Sequence, residues 1–133
     1  MDIEFHFYMT YLIALKAGFK KEDAYVIAYS SQYTDDNEYS YRIEGGDTQY
    51  ENLISQTIDI TKPQEERLSI YPIFHFCPGK IGEIFEQSSR RDGKYHLLNT
   101  IPDNINAREI FTDAMKSGNP YRIGIGAHMY ADT

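Results

Sequence analysis

The sequence predicts a mainly α protein: a single helical domain over residues 1–133, with a short β-hairpin excursion at about 37–76. Three observations carry this. Apolar residues recur at three- and four-residue spacing near both ends, glycines or capping residues stand where those runs stop, and β-favouring residues gather in the middle around Gly45 and Gly46. A chain of 133 residues can bury a real core, and its 41% hydrophobic and 25% charged content is that of an ordinary globular protein. There is no internal repeat, low-complexity tract or domain linker.

The elements follow in order. Residues 5–17 place Phe5, Met9, Leu12, Ile13 and Lys16 at helical spacing, and Gly18 stops the run. Residues 20–33 form a second helix with Ala24, Ile27, Ala28 and Ser31 on one side. The short link at Gly18 and Phe19 makes the two an antiparallel pair. "EYSYRIEGGDTQYENLISQTIDITKP" reads as the hairpin-like excursion. "SIYPIFHF", residues 69–76, reads as a strand or extended segment closed by Pro78 and Gly79. A short helix is expected over 80–88, then a polar loop. Residues 103–118 form a helix capped by Asn106, with Glu109 in capping-box position and Gly118 closing it. Pro120 opens a last helix that runs to the chain end.

Composition narrows the function classes. Thirteen Lys and Arg against 20 Asp and Glu leave a net charge of −7, a poor surface for passive binding to long nucleic acid. It does not exclude a metal enzyme acting on phosphates, because bound cations reverse the local field. The single cysteine, Cys77, rules out an internal disulfide and a cysteine-rich zinc site, and reads as a buried, inert thiol. The twelve tyrosines and seven phenylalanines are expected mostly in the core. The N-terminal apolar stretch is too short to span a membrane and has no basic leader, so the cytoplasm is the default location.

The chain ends "GIGAHMYADT", with His128 four residues before Asp132. On a helix these lie within about 40° of each other, the spacing two side chains need to grip one metal ion. The same spacing suits a plain His–Asp hydrogen bond. Gly124, Ala127 and Ala131 keep that face small, either for close approach of another helix or for room around ions. His6 and His75 also stand among apolar residues, as core histidines or as ligands; His96 sits beside a polar loop and is set aside. Asp35 and Asp36 are either a solvated helix-end turn or a carboxylate pair relieved by a cation. Histidine and carboxylate donors without thiolates suit zinc or another borderline divalent ion. Arg90 and Arg91 read as a solvated loop.

Taken in order, His6, "AYSSQYTDD", "IFHF" and "GIGAHMYAD" resemble the zinc-dependent phospholipase C and fungal single-strand nuclease superfamily. That resemblance implies a mainly helical fold and a zinc cluster at the foot of a cleft. It implies metal ligands at Asp35 (Asp36 as second choice), His75, His128 and Asp132, with Asp132 bridging to a metal that His6 serves. The whole chain also resembles a bacterial family sharing "FHFYMTYLIALKAGF" and "YSSQYTDDN", whose members continue beyond this last residue with a Trp-Ala-His segment. The superfamily's further histidines and acid have no counterpart here, nor is there sign of a processed N-terminal residue, so the chain reads as the front part of a metal-site domain stopped inside its ligand helix. The expected function is metal-dependent hydrolysis of a small phosphoester; the alternative is a non-catalytic metal-binding or protein-interaction module. A truncated bundle would leave an apolar face that self-association could cover.

Overall fold

The helix at the N-terminus does not begin as an ordinary one. Glu4–Met9 wind as a π-helix and pass without a break into α1, Thr10–Lys16, which Gly18 ends at φ +94°. The computed structural model describes residues 2–46, 48–57, 69–80, 82 and 98–133. α2, Lys21–Asp36, packs back against α1, and Ala14, Ala24, Ile27 and Ile123 form a core cluster with it. α2 runs three residues past the expected boundary, so Asp35 lies on the helix rather than in a turn after it. Asp35 continues the buried stripe of Ala24, Ala28 and Ser31. The hydroxyls of Ser30 and Thr34 donate to the carbonyls of Val26 and Ser30 at 2.7 and 2.9 Å, which lets polar side chains sit inside a helix without competing for its ladder.

The hairpin is real and small. β1, Arg42–Gly45, pairs antiparallel with β2, Thr48–Glu51, in the register Arg42 to Glu51, with Gly46 at φ +60° in the turn. Every strand residue is exposed, so the ribbon contributes no core. Its base is tied to the end of α2. Asn37 Nδ2 donates to Leu53 O at 2.8 Å and Asn52 Nδ2 to Asn37 Oδ1 at 3.1 Å, while Asn37 O accepts from Ser55 N at 3.1 Å.

Residues 69–76 correct the expected strand. Ile70–Phe74 form the short helix α3, with Tyr71 wholly buried. Pro72 explains the outcome: it has no N–H for a sheet ladder, whereas a first helical turn needs none. α4, Ile105–Lys116, corrects the cap. Asn104, not Asn106, caps it, accepting from Ala107 N at 3.0 Å, which leaves Glu109 out of capping-box position. Asn106 Nδ2 instead donates to Pro78 O at 2.8 Å. α5, Pro120–Ala131, starts from Asn119 with Pro120 at its first position, and Asp132 stands just past its last turn.

α5 is the central element, lying between α2 and α4. A Cβ on Gly124 would fall 2.3 Å from Ile27 O, and one on Gly126 would fall 3.0 Å from Ala114 Cβ. The glycines thus return their helix cost as close approach of neighbouring helices. The small residues take the core, and the expectation that the aromatics fill it fails. Tyr8, Tyr25, Tyr29, Tyr33, Tyr39, Tyr41, Tyr50 and Tyr121 are all exposed, as are Phe5, Met9, Leu12 and Ile13. Phenols tolerate this because one end of the ring can stay wet. Cys77 is buried as expected, and burial pushes its thiol up. The expected helix at 80–88 (apart from Lys80 and Gly82), Arg90, Arg91 and His96 lie outside the described residues. No described helix is long and apolar enough to cross a membrane.

Candidate metal centre

Four separate stretches of chain deliver five donor side chains to one point. The π-helical turn turns His6 inward as the one buried residue of that segment; wide turns of this kind are frequent at functional sites. α2 brings Asp35 on its buried stripe. The residue just after α3 is His75, whose backbone N–H still bonds to Tyr71 O at 2.9 Å. α5 carries His128 and, one turn on, Asp132.

The donor atoms converge closely. His75 Nδ1 lies 3.0 Å from both Asp132 Oδ2 and His128 Nε2, and 3.8 Å from Asp35 Oδ1. His128 Nε2 is 3.3 Å from Asp132 Oδ2 and 3.7 Å from Asp35 Oδ1. His6 Nε2 stands 3.7 Å from Asp35 Oδ2 and 3.6 Å from Asp132 Oδ1, so Asp132 turns one oxygen to each side. Zinc bonds of about 2.0–2.1 Å at tetrahedral angles put neighbouring donors about 3.3 Å apart. The observed 3.0–3.8 Å range brackets that edge.

Protonation logic points the same way. His75 Nε2 donates to the Ser55 carbonyl at 2.8 Å, so the neutral ring presents a bare Nδ1 to a carboxylate oxygen and a second imidazole nitrogen. Lone pairs facing one another at that distance require a cation or a proton between them. Asp35 Oδ2 is buried with no hydrogen-bond donor, and two carboxylates with three imidazoles form a cluster of net negative charge when the rings are neutral. A divalent ion resolves both. Gln56 Nε2 holds the other Asp35 oxygen at 3.3 Å.

The surroundings shift His6 and Asp132 towards their ligating forms. Burial pushes the His6 imidazole below its ordinary range, seconded by His128 and opposed by Asp132 and Asp35. Burial alone would raise Asp132, but the His128 and His75 imidazoles beside it, with His6 beyond, outweigh that and hold the carboxyl well below the usual range. His75 and His128 have no exposed surface, whereas the Asp132 side chain is 13% exposed and marks the open edge of the cluster.

Of the six residues singled out in the sequence, His6, Asp35, His75, His128 and Asp132 come together. Asp36 does not: one residue further round the helix, it is exposed and accepts from Gln32 Nε2 at 3.2 Å. Ser55 and Gln56 escaped sequence reading. Ser55 acts through its backbone carbonyl, which no side-chain pattern reveals, and Gln56 has no spacing relation to the residue it holds.

In comparison with known proteins, a model described as a family of unknown function (DUF6765) matches residues 1–133. No curated protein and no solved structure matches the chain.

Proposed function

The chain belongs to the family of unknown function DUF6765, and on that premise we propose that it is a metal-binding domain of hydrolase type, acting on small phosphoesters. The observation that carries the reading is the meeting of three imidazole nitrogens and two carboxylates in one buried cluster, with Asp35 Oδ2 left without a donor. The order of the ligating segments along the chain agrees with the zinc-dependent phospholipase C and single-strand nuclease superfamily, to which we assign its ancestry.

In this reading Asp35, His75, His128 and Asp132 would hold one ion, and His6 and Asp132 would contribute to a second. A bound zinc or similar ion supplies Lewis acidity and acidifies water towards neutral pH. The chain's own residues do the rest. The Ser55 carbonyl fixes the His75 tautomer so that Nδ1 faces inward. Gln56 orients Asp35, and burial shifts His6 towards its neutral form. Substrate approaches past Asp132, where the cluster is least covered.

A second reading rests on the complete burial of His75 and His128: closed sites of this kind also serve structure alone. Elemental analysis of protein purified without a histidine tag or chelator tests both. One or more equivalents of zinc or a similar ion are expected, lost in His128→Ala; unchanged metal content in that variant would sink the site. Turnover of bis(4-nitrophenyl) phosphate by the loaded protein supports the hydrolase, and a loaded but inert protein supports the structural site.

A further inference from the structure

The face of α2 turned away from Asp35 carries a different chemistry. Tyr29 and Tyr33 stack there, ring centroids 5.8 Å apart and 13° from parallel. Tyr41 ahead of β1, Tyr50 on β2 and Tyr121 at the start of α5 complete the walls of a pocket of about 590 Å³. Each of the five rings is exposed, between 41% and 58%. Five large exposed rings gathered around one hollow form the kind of contiguous patch that marks a ligand-binding groove.

The lining tells which ligand fits. The polar groups of the floor are already committed. Ser30 Oγ donates to Val26 O, Thr34 Oγ to Ser30 O, Ser55 Oγ to Thr34 O, and Asn37 Nδ2 to Leu53 O. No Lys, Arg, Asp or Glu is among the described lining residues; Asp36, which lines a neighbouring hollow with Tyr29 and Tyr33, acts on the Tyr33 hydroxyl from there. The Tyr33 hydroxyl is pushed up first by partial burial and then by Tyr41, Tyr29, Asp36 and Tyr50, so these rings and that acid sense one another. An anion finds no countercharge in this lining. A cation finds five electron-rich rings around the hollow and a protein of net charge −7.

We propose that the pocket walled by Tyr29, Tyr33, Tyr41, Tyr50 and Tyr121 is a binding site for the alkylated ammonium group of a small organic ligand. The volume leaves room for the remainder of such a molecule. The site is independent of the metal cluster. It shares with it only Ser55, whose hydroxyl lines the pocket while its carbonyl holds His75.

The test is a titration of the full chain, with chelator present, by tetramethylammonium chloride, followed through the NMR resonances of labelled tyrosines. tert-Butyl alcohol serves as a neutral probe of similar shape, and sodium chloride at equal ionic strength as the salt control. Saturable shifts at the five named tyrosines are expected, with affinity about tenfold lower for tert-butyl alcohol and about tenfold lower in Tyr33→Leu and Tyr121→Leu. Both substituted rings are exposed, so the variants keep the fold. The proposal is overturned by an absence of saturable shifts, by equal affinity for the neutral probe, or by shifts confined to other tyrosines.

Discussion

The two faces of α2 invert the usual allocation of size to depth. One face carries Ala24, Ala28, Ser31 and Asp35, all buried against the rest of the fold. The other carries Tyr25, Tyr29 and Tyr33, all exposed. The small face lets α5 approach until a Cβ on Gly124 would strike the Ile27 carbonyl. At that spacing Asp35 Oδ1 and His128 Nε2, on different helices, stand 3.7 Å apart. Bulky residues in the seam would have strengthened the apolar core and moved the donors out of reach of one ion. The lesson is that this core is built thin so that polar groups can meet inside it, and the aromatic mass is carried outside.

The sharpest way to break this comparison is to thicken the seam. Gly124→Ala places a methyl against backbone that cannot rotate away, and a loss of about 3 kcal/mol is expected in urea unfolding. A neutral result would mean that the helices are not in such close contact. Metal removal comes next. Chelation should lower stability by about 2.7 kcal/mol relative to protein in ion at a hundred times its dissociation constant, seen as a fall in the thermal midpoint. A midpoint unmoved by chelator and added zinc would detach the cluster from metal altogether.

The metal-free protein should also weaken in acid. His6 is depressed below its ordinary 6.5 and Asp132 below its ordinary 3.8, so for both groups the unfolded chain binds more protons than the folded one. Stability therefore rises with pH. Its loss begins as pH falls below 6.5 through His6 and continues below 3.8 through Asp132. Thermal midpoints at pH 7 and 5, with chelator present, should fall on acidification; a rise would contradict the buried neutral His6. The smallest effect belongs to the outer face: Tyr33→Leu should change unfolding free energy by less than about 0.5 kcal/mol. A large loss there would show that the exposed rings support the fold after all.

Much of this was readable in advance, and the misses have physical causes. The helices announced themselves through spacing and through Gly18 and Gly118, both at positive φ where their runs end. Residue chemistry did not separate Asp35 from Asp36, because both are carboxylates at the end of the same helix; only the resemblance put Asp35 first. Only the direction in which α5 packs makes one a donor to the cluster and leaves the other in water. Asn104 and Asn106 stand before the same helical run with the same capping side chain. The choice fell to Asn104 because Asn106 is drawn away by the Pro78 carbonyl, while Asn104 also reaches Cys77 O at 2.8 Å.

What the sequence determined by itself was local: helical periods, the hairpin break at Gly45 and Gly46, and the pairing of His128 with Asp132 across one turn. These depend on backbone geometry and on residues a few positions apart. That His6, Asp35 and His75 join that pair was an expectation from resemblance which spacing could not supply, and the tertiary structure brings them together; it alone decided that Ser55 and Gln56 stand behind them. It also decided that most of the described tyrosines lie outside, with Tyr71 the exception. Such outcomes depend on which faces meet and how closely, and here the glycines of α5 and the small stripe of α2 set that distance.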